Sequence, residues 1–114
     1  MVDDFPPQIM REALQMRSWS VNEGDTAVLH CPIEGWPRPN ITWTRHTAAS
    51  RESQPIGRSE ATDRLSGQIL VLRRAGSLDS GKYYCSASNA LGRADFEMDL
   101  SIRSEYRKIL FDAA

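Results

Sequence analysis

The sequence predicts an all-β sandwich, and three observations carry that expectation. Apolar residues recur with a period of two in several short runs, the spacing of a strand with one face on a core. Clusters of Gly, Pro, Asn and Asp separate those runs, as turns between successive strands require. No helix of useful length is legible in the first hundred residues.

The elements follow in order. Trp19 stands two residues before Val21 and is expected to pack along a first strand. Thr26 to Ile33 reads as one strand, with Ala27, Leu29, Cys31 and Ile33 on the inner side and Val28, His30 and Pro32 on the outer. Asn40 to Arg45 places Ile41 and Trp43 inward and Asn40, Thr42 and Thr44 outward. Polar Thr47 to Gln54 reads as a loop, and Ser59 to Leu65 as a short strand. Gln68 to Arg73 is apolar on both faces, with Leu70 and Leu72 inward. Gly81 to Asn89 sends Tyr83, Cys85 and Ala87 inward and Lys82, Tyr84, Ser86 and Ser88 outward. Between Arg93 and Arg103, Ala94, Phe96, Met98, Leu100 and Ile102 alternate with Arg93, Asp95, Glu97, Asp99, Ser101 and Arg103. A strand collects those five apolar groups on one face, where a helix would scatter them. Residues 1–6 read as a linker, 7–103 as the domain and 104–114 as a tail or linker.

At 114 residues the chain has room for one domain. A net charge of −1 speaks against nucleic acid as a partner, because such binders carry a concentrated basic field. Apolar runs such as Ile69 to Leu72 are far too short to span a membrane. The start, Met-Val-Asp-Asp-Phe-Pro-Pro, lacks the basic and apolar regions of a secretory signal.

A group of residues carries a more specific signal. Cys31 and Cys85 occupy inward strand positions, and Trp43 follows the first cysteine by twelve residues, also inward. Asp79-Ser-Gly81-Lys-Tyr83-Tyr-Cys85 sets a tyrosine two residues before the second cysteine. With Gly24, Gly35, Pro37, the Leu70-Val-Leu72 run and Asn89-Ala-Leu-Gly92, this order resembles the I-set immunoglobulin domain over about Pro7 to Ile102. The resemblance implies a two-sheet Greek-key sandwich closed by a Cys31–Cys85 disulfide beside a buried Trp43. It also implies a tyrosine corner at Tyr83 and an arginine partner for Asp79, for which Arg64 stands at a suitable interval. Cys31-Pro-Ile-Glu-Gly35 and Thr42-Trp-Thr44 are similar to fibroblast-growth-factor-receptor-type modules.

Catalytic, metal and cofactor sites are not expected. His30 and His46 are the only histidines, and the resemblance commits both cysteines elsewhere. Binding to protein partners or to neighbouring domains of a parent chain remains, and several surfaces compete for it. One is the sheet face bearing Tyr84 and the row Asp95, Glu97 and Asp99. A second is the Gly35–Pro39 loop, where Trp36 and Arg38 are residue types enriched at interface hot spots. A third is heparan sulfate, because twelve of the fourteen basic residues are Arg. The apolar side chains between Tyr106 and Phe111 offer a fourth.

Asn40-Ile41-Thr42 is an N-glycosylation sequon whose first and third residues face outward. It favours an extracellular receptor, adhesion or matrix protein over the rival setting, an intracellular muscle or cytoskeletal array.

Overall fold

A computed structural model describes residues 3–47, 54–55 and 67–104. Its strands are β1 (Phe5–Ile9), β2 (Ser18–Asn22), β3 (Ala27–His30), β4 (Ile33–Trp36), β5 (Asn40–Thr47), β6 (Gln54–Pro55), β7 (Ile69–Leu72), β8 (Gly81–Asn89) and β9 (Gly92–Arg103). Short 3-10 turns occupy Arg11–Met16 and Ser77–Asp79, and there is no α-helix among the described residues.

One layer is a five-stranded sheet ordered β2-β9-β8-β5-β6. The β5–β8 and β8–β9 pairs are antiparallel, while β2 runs parallel to β9 from Ser18↔Asp99 to Asn22↔Arg103. The opposite layer comprises two antiparallel ladders, β1–β4 and β3–β7.

The expected strand Thr26 to Ile33 is divided between those two ladders. Proline has no N–H to give a ladder, and at Pro32 the chain changes partner. The Cys31 N–H donates to the Gln68 carbonyl on the β7 side, and the Pro32 carbonyl accepts from Met10 N–H on the β1 side, both at 2.8 Å. The inward phase nevertheless continues across the break, with Ala27, Leu29, Cys31 and Ile33 all buried.

The layers meet over one apolar core. Leu29, Leu70 and Leu72 face Trp43, Tyr83, Phe96, Met98 and Leu100 within a single buried cluster. The alternation expected for β8 and β9 is observed, with Tyr83, Cys85, Ala87, Phe96, Met98 and Leu100 buried and the residues between them partly or fully exposed. Trp19 is half-buried against this core, and its indole N–H donates to the Met16 carbonyl at 2.9 Å.

Two expectations shift. The first strand begins at Phe5, two residues before the expected start of the domain. Thr47 is the buried end of β5 rather than the start of a loop, and Gln54–Pro55 pairs with Arg45 and Thr44. The expected strand 59–65 and the 105–114 segment lie outside the described residues.

Candidate functional site

At the centre of the sandwich, Cys31 and Cys85 are bonded, with Cα atoms 5.9 Å apart. Trp43 is opposite Cys85 in the β5–β8 register and is only 2% exposed. Its indole N–H donates to the Gly67 carbonyl at 2.7 Å, so the one polar atom of the buried ring is satisfied. Chain entropy gives a cross-link closing a loop of this length about 4 kcal/mol.

At the end of the sandwich formed by the β4–β5 loop and the β8–β9 turn, one side chain ties three segments together. The Asn89 amide donates to the carbonyls of Phe5 and Pro37, each at 3.0 Å, and its Oδ1 accepts from Leu91 N–H at 2.9 Å. The β1 start, the loop after Trp36 and the β8–β9 turn are therefore linked through one side chain. Trp36 pairs with Phe5, and the Trp36–Pro37 peptide bond is cis. A Cβ on Gly35 would come within 3.0 Å of Pro39 Cγ and 3.1 Å of Pro7 Cα, so glycine lets these backbones close up. Around this braced backbone, Trp36 is 44% and Leu91 51% exposed, and Arg38, two residues after Trp36, is exposed too.

The outer face of the five-stranded sheet is polar. Its cross-strand rows are Asn40–Ser88–Arg93, Thr42–Ser86–Asp95, Thr44–Tyr84–Glu97 and His46–Lys82–Asp99. Lys82 Nζ lies 2.7 Å from Glu97 Oε1 and 3.2 Å from Asp99 Oδ1. Hydrogen bonds to Glu97 and then Asp99, reinforced by their charges, raise the Lys82 pKa above its ordinary value. Arg93 Nε lies 3.1 Å from Asp95 Oδ1. A hydrogen bond from Ser86, followed by the Arg93 contact, lowers the Asp95 pKa against the opposing effect of desolvation. The three acids expected to form an anionic row thus have cationic partners within the same face. Tyr84 stands half-buried between Thr44 and Glu97.

At the opposite end, Tyr83 donates its hydroxyl to the Asp79 carbonyl at 2.7 Å. The Asp79 carboxylate accepts from Gly76 N–H at 2.8 Å and lies 3.7 Å from Arg45 Nη1. Arg64, the expected partner, lies outside the described residues. Gly81 holds a left-handed φ of +148°, where a Cβ would fall against the His46 carbonyl oxygen and 2.6 Å from Thr47 Cα.

These residues can be set beside known proteins. The family model of the immunoglobulin I-set domain matches residues 11–102. The chain belongs to that family.

This I-set domain is 36% identical over 85 residues to papilin of Drosophila melanogaster, covering 75% of this chain and 3% of papilin. It is 32% identical over 98 residues to the basement membrane-specific heparan sulfate proteoglycan core protein of Mus musculus, covering 86% of this chain and 2% of that protein. Its fold matches the N-terminal eight immunoglobulin domains of Down Syndrome Cell Adhesion Molecule isoform 1.30.30 with a TM-score of 0.72. That match has 23% identity and covers 90% of this chain and 15% of the other. The chain thus spans a small fraction of these proteins, as one immunoglobulin domain related to those of papilin and of the basement membrane-specific proteoglycan core protein.

Within the I-set domain, His30 and His46 belong to different sheets, and no group of three His, Cys, Asp or Glu residues able to hold a metal occurs among the described residues. No described helix is long and apolar enough to cross a membrane. Two surface features escaped the sequence reading. Read locally, Asn89 and Leu91 are no more than members of the Asn89-Ala-Leu-Gly92 run. Only long-range pairing brings β1 and the Trp36 loop to them, so a local pattern could have offered no more than the Asn-Ala-Leu-Gly turn as a signal.

Proposed function

We propose that this I-set domain is a non-catalytic protein-recognition module of an extracellular cell-surface or matrix protein, and that it contacts its partner through the Trp36 end. One observation carries the reading: Trp36 and Leu91 are exposed large apolar side chains on a backbone braced by Asn89. A contact held rigid before binding loses less entropy on association, and a tryptophan with an exposed arginine two residues on suits an interface centre. The paired acids of the sheet face offer less, because a partner would first have to displace Lys82 and Arg93. The extracellular setting is supported by the bonded cysteines and by a relative named for the basement membrane.

The test is a binding screen of the purified domain against itself and a panel of extracellular domains, repeated with Trp36→Ala. The substitution is expected to weaken the complex about tenfold or more, roughly 1.4 kcal/mol, while the melting temperature stays nearly constant. A partner that binds Trp36→Ala as well as the wild type would move the contact elsewhere. Free thiols in protein recovered from its natural setting would count against the extracellular assignment.

A further inference from the structure

We propose that Asn40 carries an N-linked glycan, an inference that rests on the extracellular reading and adds a modification site to it. The chain holds three asparagines: Asn22, Asn40 and Asn89. Asn22 is followed by Glu-Gly and Asn89 by Ala-Leu, so neither has the hydroxyl residue two positions on that the modification requires. Asn40 has Thr42, with Ile41 rather than proline between them.

The geometry agrees with the motif. Asn40 opens β5, directly after buried Pro39, in a strand where residues two apart share a face. Asn40 and Thr42 are both exposed on the outer side of the five-stranded sheet, while Ile41 packs on the core. Across the register Asn40 meets Ser88 and then Arg93, both exposed, so its row ends in open surface. Among the described residues no strand flanks Asn40 on the side away from β8. Nor does any described residue hydrogen-bond its side-chain amide. Asn89, by contrast, has its amide fully engaged. A bulky, solvated substituent on Asn40 therefore displaces nothing in the fold.

The co-reactant is a lipid-linked oligosaccharyl diphosphate in the secretory lumen. The Asn40 Nδ2–C1 bond forms as the anomeric C1–O bond to the diphosphate breaks. The lipid diphosphate leaves, and the amide gives up one proton. The sugar would stand over Ser88 and Arg93, on the layer opposite to the one that bears Trp36.

The experiment expresses the chain behind a cleavable signal sequence in a eukaryotic secretory line. Cells and medium are pooled, and only chains with the signal removed are measured by mass. The wild type is expected to carry a sugar that peptide-N-glycosidase releases, converting Asn40 to Asp. Asn40→Gln and Thr42→Val are expected to abolish the mass shift, and Thr42→Ser to retain it. Melting of Asn40→Gln alongside the enzymatically stripped wild type checks that both remain folded. Signal-cleaved wild type with unmodified Asn40 overturns the proposal, as does a sugar that survives in Asn40→Gln. Neither outcome touches the recognition reading, which stands or falls on the thiol state and on the Trp36→Ala binding result.

Discussion

The hydroxyl of Tyr83 and the carbonyl of Asp79, four residues apart, are joined at 2.7 Å across the corner where β8 begins. The ring is wholly buried, so this bond lets a large aromatic fill the core without leaving its oxygen unsatisfied. Tyr83→Phe keeps the ring and removes the donor. It should cost about 1–2 kcal/mol in urea unfolding with an unchanged m-value, since one hydrogen bond is lost and no cavity is created.

Gly81 should tolerate substitution less well than Tyr83. Alanine would have to hold a φ of +148° and force its Cβ against the His46–Thr47 backbone. Backbone cannot swing aside as a side chain can, so the β5–β8 pairing at Thr47↔Gly81 would have to open. Gly81→Ala should destabilise the domain by about 3 kcal/mol or more, measured by thermal or chemical unfolding.

Asn89 gives a sharper comparison. Asn89→Ala removes both donors and the acceptor, and should cost roughly 1–3 kcal/mol. Asn89→Asp keeps an acceptor for Leu91 N–H but sets a carboxylate against the Phe5 and Pro37 carbonyls. The aspartate variant should therefore be at least as unstable as the alanine variant despite its closer shape. Hydrogen exchange should quicken together in β1, the Trp36 loop and the β8–β9 turn in both variants, since one side chain couples them.

The ion pairs of the sheet face predict how stability depends on pH. Lys82 has its pKa raised by Glu97 and Asp99, so its contribution is fully present below the ordinary lysine value and is lost as pH rises through the raised one. Asp95 has its pKa lowered by Ser86 and Arg93, so its contribution is present above the ordinary aspartate value and is lost as pH falls through the lowered one. Unfolding measured across pH should show Lys82→Met flattening the alkaline limb and Asp95→Asn the acidic limb. The aspartate effect should stay below about 1 kcal/mol, because both partners are well exposed.

Much of the sandwich could be read from alternation alone. In β5, β8 and β9 each residue's side of the sheet follows from its parity relative to Trp43, Cys85 or Phe96, and the burial pattern agrees. The sequence was less informative where pairing depends on distant chain. Nothing local to Pro32 says that its two flanks belong to different ladders. The strand Phe5–Ile9 has no alternation and exists because β4 supplies its hydrogen bonds. The surface followed the same rule. Asp95, Glu97 and Asp99 were visible as a row, but their cations come from Lys82 on the neighbouring strand and from Arg93 two residues earlier. The brace at Asn89 depends on residues 84 and 52 positions away, beyond the reach of any short motif.

The parallel run of β2 beside β9 has a mechanical consequence. Once the β1–β4 ladder has yielded, tension between the N-terminal end of β2 and the C-terminal end of β9 pulls the two strands in opposite directions along their shared axis, which shears their ladder instead of peeling it. Five residue pairs, Ser18↔Asp99 to Asn22↔Arg103, then bear the force together. A module joined in series within a long fibre would resist stretching at that seam before its interior was disturbed.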